Sequence, residues 1–218
     1  EPSMIKLGLV GEGIAKSQSP DLHERLGASL GEPVRYDLVD SRGVADFDFP
    51  SAIQRLRAEG YRGTNVTFPF KEKAAQLADI RGEGVRRVGT ANTLLFDADG
   101  LRAENTDYTG FISAYRHSFG SQPAGEVLLI GAGGVGRAVA CALGKLAVSH
   151  IHILEHDASR AESLSRDLNA MGIKAACITS EQAQQELPQW QGVVNCSPIG
   201  HINHPGCPID TAGLGAQH

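Results

Sequence analysis

Two hydrophobic periods alternate along this chain, and the alternation predicts an α/β protein. Residues 5–10 are an apolar strand, and 20–30 read as a helix with Leu22, Leu26 and Leu30 on one face. Residues 34–39 alternate as a strand, 52–59 as a helix with Gly60 as its C-terminal cap, and 63–68 as a third strand. Pro69 is placed to start the next helix, where its missing N–H costs nothing. Residues 90–96 and 100–104 flank Asp97-Ala98-Asp99-Gly100 and read as a hairpin, followed by a helix over 107–119 and a turn-rich link over 120–125.

Beyond that link the pattern changes character. Val127 to Ile130 is a short apolar run, followed at once by Gly131-Ala132-Gly133-Gly134-Val135-Gly136 and a helical run over 137–147. A strand over 150–154 comes next and ends on Glu155, nineteen residues after Gly136. Strand, GxGxxG turn, helix, strand and distal acid together are the signature of a dinucleotide site. The glycines allow the turn and a close approach of backbone to pyrophosphate, and the helix N-terminus faces the anion. Residues 158–171 form an amphipathic helix, 174–178 a strand, 181–186 a short helix and 192–196 a fourth strand. A complete dinucleotide fold takes about six strands. The expected architecture is thus an N-terminal α/β substrate domain (4–106), a connecting helix and linker (107–125) and a Rossmann domain (126–218) that is incomplete at its C-terminal end.

Composition narrows the function classes. A formal charge of −5 over 218 residues disfavours nucleic acid and anionic membrane as partners, and no apolar run is long enough to span a bilayer. No n-region/h-region pattern or CxxC pair is seen, so Cys141, Cys177, Cys196 and Cys207 are expected to be buried thiols of a cytoplasmic protein. His201, His204 and Cys207 lie close in sequence but lack a fourth ligand, and no metal is expected. Glu1-Pro2-Ser3 before Met4 reads as an appended leader. A homodimer is compatible with the sequence.

Three polar groups precede the linker. Ser19 before Pro20 has the form of a helix N-cap, although Ser17 and Ser19 on an extended loop would also suit a polyhydroxylated ligand. In Asn65-Val66-Thr67-Phe68-Pro69-Phe70-Lys71, strand alternation projects Asn65 and Thr67 from one face. Lys71 then falls in the first turn of a helix, where the dipole disfavours a cation. It is either a tolerated surface lysine or a general base made less basic by desolvation against Phe68 and Phe70. Asn105-Thr106-Asp107, with Asn92 upstream, is explained by capping but could also place a carboxylate near Lys71 and a substrate hydroxyl.

In their order along the chain, these segments resemble the shikimate dehydrogenase family, and more closely its quinate/shikimate dehydrogenase branch. The resemblance rests on Gly8-Leu9-Val10-Gly11, Ser17 to Pro20, Asn65 to Lys71, Gly89-Thr90-Ala91-Asn92-Thr93, Asn105 to Asp107, the glycine turn and Asn195-Cys196-Ser197-Pro198-Ile199-Gly200. It implies an oxidoreductase that moves a hydride between a nicotinamide cofactor and a hydroxyl of a cyclic carboxylate. Ser17 and Ser19 would hold the carboxylate, and Thr67, Asn92 and Asp107 the ring hydroxyls. Lys71 paired with Asp107 would be the acid/base group. Gly131, Ala132, Gly133, Gly134, Val135, Glu155, Asp157, Arg160, Asn195 and Ser197 would surround the cofactor. NADP-preferring members carry Asn-Arg-Thr where this chain has Glu155-His156-Asp157. Two carboxylates repel a 2′-phosphate, so NAD is expected, with NADP less favoured and Arg160 as the opposing charge. Quinate-using relatives often carry threonine at the position of Ser19, which leans the substrate toward shikimate. Family members also continue past this point, so the site implied here lacks a glutamine that they supply. The alternatives are a non-catalytic NAD-binding regulator and a related dehydrogenase for an aminated analogue.

Overall fold

The computed structural model describes residues 3–218, so the expectation for Glu1 and Pro2 lies outside the described residues. The chain divides into two compact units, Glu1–Thr106 and Asp107–His218.

The first unit follows the order β1 (Ile5–Gly11), α1 (Ser19–Ser29), β2 (Val34–Asp40), α2 (Phe49–Ala58), β3 (Gly63–Val66), α3 (Lys71–Leu77), β4 (Ile80–Arg81), α4 (Glu83–Val88), β5 (Thr93–Asp97) and β6 (Gly100–Glu104). Its strands form one sheet in the order β2-β1-β3-β5-β6-β4. β1 is parallel to β2 and β3, whereas β5 runs antiparallel to β3 and β6. The C-terminal ends of β1 and β3 therefore lie at the same edge as the N-terminal end of β5. Val10, Val66, Leu94 and Ala103 project into one core with Phe49, Ile53, Leu56 and Ala74 from the helices. Phe49 and Phe70 stack within it at 5.1 Å.

Three stretches of the chain differ from expectation. The apolar stripe of α1 points outward, with Leu22, Leu26 and Leu30 between 51% and 77% exposed. Only Gly27 of this helix is buried, because a side chain there would strike Val34 and the Glu32 carbonyl. The α3 helix begins at Lys71 rather than Pro69, and β3 ends at Val66. The 80–88 segment carries the short β4 and α4, where the sequence showed no clear period.

The second unit opens with α5 (Thr106–Phe119), whose first residue closes the first unit. Then follow β7 (Gly125–Ile130), α6 (Gly134–Lys145), β8 (Val148–Leu154), α7 (Ala158–Ala170), β9 (Ala175–Cys177), α8 (Ser180–Glu186) and β10 (Gly192–Asn195). The four strands form a parallel sheet in the order β10-β7-β8-β9. Leu128, Ile130, Ala183, Leu187 and Trp190 make a compact core on one face. At its margin the His150 and His152 rings stack at 4.3 Å, His152 stacks on Trp190 at 4.2 Å, and Glu126 meets His152 Nε2 at 3.0 Å. Not all thiols are buried. Cys141 is inside, Cys196 partly so, and Cys177 and Cys207 are exposed, since the latter two fall on a sheet edge and in a loop. No helix among the described residues is long and apolar enough to cross a membrane.

Candidate active site

The glycine turn joins β7 to α6 and is shaped by close approaches. Gly131 has φ +95°, and a Cβ there would lie 2.8 Å from Cys196 C and Ser197 N. A Cβ on Gly136 would come within 2.1 Å of the Gly131 carbonyl oxygen, so the third glycine lets the helix close on the turn. Gly133 and Gly134 instead face open space. No side chain caps α6, and its first amides have no partner within the helix, leaving donors for an anion. Beside the turn lies a cavity of about 490 Å³, bounded by Gly131 and Gly133, by Glu155 and Arg160, and by Cys196, Ser197 and Ile199. Its volume and glycine wall fit a dinucleotide.

Glu155 borders the cavity with its carboxylate turned into the glycine turn. Its side chain is 4% exposed. One oxygen accepts from Ala132 N at 2.8 Å and the other from Asp157 N at 3.0 Å. Burial would raise its pKa, but these two amides, with His156 and Arg160 nearby, outweigh that and hold the carboxyl below its usual range. Glu155 therefore braces the turn, and the Ala132 amide is already engaged. Asp157 is exposed and caps α7 by accepting from Arg160 N at 3.1 Å. Val135 is 45% exposed on the first turn of α6. Asn195 is folded back on its own loop, where its Oδ1 accepts from the Ser197 hydroxyl at 2.7 Å and its amide donates to the Ile199 carbonyl. Ser197 lines the cavity, together with Ile178, Thr179 and Ser180, for which the sequence carried no signal. Burial and then the nearby Asp107 push the Cys196 thiol up to about 11, which places the Asp107 carboxylate near the Cys196 side of the cavity.

In the first unit, the polar residues gather at the edge where β1, β3 and β5 meet. Ser19 is the first residue of α1 rather than its cap, and Gln18 stands at the cap position without a side-chain capping bond. The Ser17 hydroxyl accepts from Ser19 N at 3.2 Å, serving an amide that the helix leaves unpaired. Thr67 N donates to the Val10 carbonyl at the end of β1. The Lys71 carbonyl accepts from Ala91 N at 2.9 Å, which ties the head of α3 to the residue before Asn92. Phe68 is 70% exposed, and Phe70 is buried in the core against Phe49. Asn92 Oδ1 accepts from Thr106 N and its amide donates to the Thr106 hydroxyl at 2.8 Å. Asn105 is buried and bonds Thr90, which makes it structural. Asn65, absent from the expected set of binding residues, joins this group through Thr93 and the Asn92 carbonyl.

Comparison with known proteins gives this arrangement a lineage. Residues 9–94 match the family model described as the shikimate dehydrogenase substrate binding domain. A quinate/shikimate dehydrogenase (NAD(+)) from Corynebacterium efficiens is 33% identical over 98% of this chain and 77% of its own length. A shikimate dehydrogenase (NADP(+)) from an Arthrobacter strain is 31% identical over 97% of this chain and 74% of its own. The structure of quinate dehydrogenase from Corynebacterium glutamicum in complex with NAD superposes with a TM-score of 0.89, at 31% identity, over 99% of this chain and 79% of that one. On identity and coverage together, the chain belongs to the shikimate dehydrogenase family.

Proposed function

We propose that this chain catalyses reversible hydride transfer between a nicotinamide cofactor, NAD in preference to NADP, and a ring hydroxyl of shikimate or quinate. The observation that carries this reading is the gathering of Ser17, Ser19, Thr67, Lys71 and Asn92 at one edge of the first sheet, on four different elements or their flanking loops. Segments up to 75 residues apart in sequence have no packing reason to collect hydroxyl, amide and amine groups there. The Ser17 and Ser19 hydroxyls hold the substrate carboxylate, and Thr67, Asn92 and Asp107 bond the ring hydroxyls and fix which carbon is presented.

Oxidation of a secondary alcohol removes a hydride from carbon and a proton from oxygen. Lys71, as the neutral amine, takes that proton and becomes the ammonium, and in reduction it returns the proton to the forming alkoxide. Asp107 accepts a hydrogen bond from the substrate hydroxyl and orients it. A nicotinamide cofactor held by its pyrophosphate at the glycine turn would supply the hydride acceptor. Gly131, Gly133, Gly134 and the first amides of α6 would hold its pyrophosphate, with Arg160 and Ser197 on the cavity wall. The negative charges of Glu155 and Asp157 in one turn favour a free 2′-hydroxyl over a phosphate, which supports NAD.

Initial rates of NAD and NADP reduction with shikimate and quinate test the reading directly. A higher kcat/KM with NAD is expected, and a preference for NADP would overturn the cofactor assignment. Lys71→Ala should lower kcat by about 10²–10⁴-fold, the range for loss of a positioned acid/base group, with little change in substrate affinity. Near-normal turnover in that variant removes Lys71 from the chemistry.

A further inference from the structure

No pattern in the sequence singles out Tyr36. It lies on the edge strand β2, yet it is only 5% exposed. Its phenol oxygen reaches across β1 and donates to Asn65 Oδ1 on β3 at 2.8 Å.

The Asn65 amide nitrogen faces the Thr93 hydroxyl at 3.2 Å and the Asn92 carbonyl at 3.4 Å, so its oxygen is what meets the phenol, whose one proton is committed there. Thr93 in turn donates to Asn92 Oδ1 at 3.0 Å, and the Asn92 amide donates to the Thr106 hydroxyl. Donation thus runs in one sense from Tyr36 through Asn65, Thr93 and Asn92 to Thr106. The chain crosses the sheet from β2 to the head of β5 and reaches Asn92, the residue assigned to a ring hydroxyl.

We propose that Tyr36 is a positioning residue of the substrate site, holding Asn65, which in turn braces Asn92 through its backbone carbonyl and through the Thr93 hydroxyl. The proposal rests on the functional reading above. His23 holds the phenol in place. Its ring stacks on Tyr36 at 4.6 Å, and its Nδ1 lies 2.8 Å from the Ser19 carbonyl. Burial pushes the phenol pKa up to about 12, so Tyr36 stays a neutral donor across the working pH range.

Without the phenol oxygen, the half-buried Asn65 carbonyl loses its donor. Asn65 is then held from its amide nitrogen only, by the Asn92 carbonyl and the Thr93 hydroxyl, and its support of Asn92 loosens. Tyr36→Phe should raise KM for shikimate about tenfold, the scale of one hydrogen bond left unmade in a buried network. The KM for NAD and kcat should stay within about twofold, a split that general loss of packing would not produce. An active wild type with an unmoved shikimate KM in Tyr36→Phe overturns this proposal alone. A wild type that turns over neither shikimate nor quinate overturns the functional reading and this one with it. Should Tyr36→Phe fail to fold, His23→Leu carries the test by removing the ring stacked on Tyr36 together with its contact to the Ser19 carbonyl. Its shikimate KM should rise about two- to fivefold with the NAD KM unmoved, and no rise overturns the proposal.

Discussion

Glu155 offers the sharpest separation between two roles that an acid at the end of β8 can play. As a reader of the cofactor ribose, it would matter only when nucleotide is bound. As the brace seen here, it matters in the free protein as well. The carboxylate is 4% exposed and holds two backbone amides, at 2.8 and 3.0 Å. A hydrogen bond to a charged partner contributes about 1.5–3 kcal/mol. The two bonds share one side chain, and the freed Ala132 and Asp157 amides regain some water, so the lower half of their sum applies. Glu155→Ala should therefore destabilise the second unit by roughly 3 kcal/mol. Glu155→Gln should cost about half as much, because its NH2 group cannot accept from the second amide. A turn that is disordered before binding must be ordered by it, so the NAD Kd should rise about 10- to 100-fold at 1.4 kcal/mol per decade. Calorimetric titration with NAD and thermal melts of the nucleotide-free protein read the two effects separately. The folded carboxyl is held below its unfolded value, so the stabilisation is present above the ordinary glutamate pKa and lost as pH falls through the folded one. The melting gap between wild type and Glu155→Ala should close in that acid range. If Glu155→Ala weakens NAD but melts like the wild type at neutral pH, Glu155 is a ribose contact and the brace is refuted.

Three further expectations follow from single positions. Gly136→Ala places a methyl 2.1 Å from the Gly131 carbonyl, so α6 must shift from the turn; NAD binding should fall at least tenfold by calorimetry, and unchanged affinity would show that the helix can relax freely. Ala147 has φ +57° just after α6, and Ala147→Gly should raise stability by about 0.5–1 kcal/mol in denaturant melts, whereas a loss would argue against the left-handed turn. Burial, and then the neighbouring His152, lowers the His150 pKa, so its contribution is whole above the ordinary imidazole value and declines as pH falls through the folded one. The melting temperature of the wild type should therefore drop more steeply between pH 8 and about 5.5 than that of His150→Phe, and parallel curves would rule out this source of acid sensitivity.

The sequence alone determined whatever depends on neighbours a few residues apart. Strand alternation, the hairpin at Gly100 and the glycine turn between β7 and α6 are local, because backbone geometry and side-chain periodicity are set within one turn or one pleat. The candidate residues Ser17, Ser19, Thr67, Lys71 and Asn92 were legible as polar groups at element ends for the same reason. Only the tertiary structure decided which partners those groups meet. It turned Leu22, Leu26 and Leu30 outward, since a helix stripe fixes which side chains share a face but not what that face packs against. Glu155 ends the expected strand, yet its amides come from a turn 23 residues earlier and from Asp157. Tyr36 showed no local signal at all. Its role arises from Asn65, 29 residues away, which only strand pairing brings to the phenol oxygen.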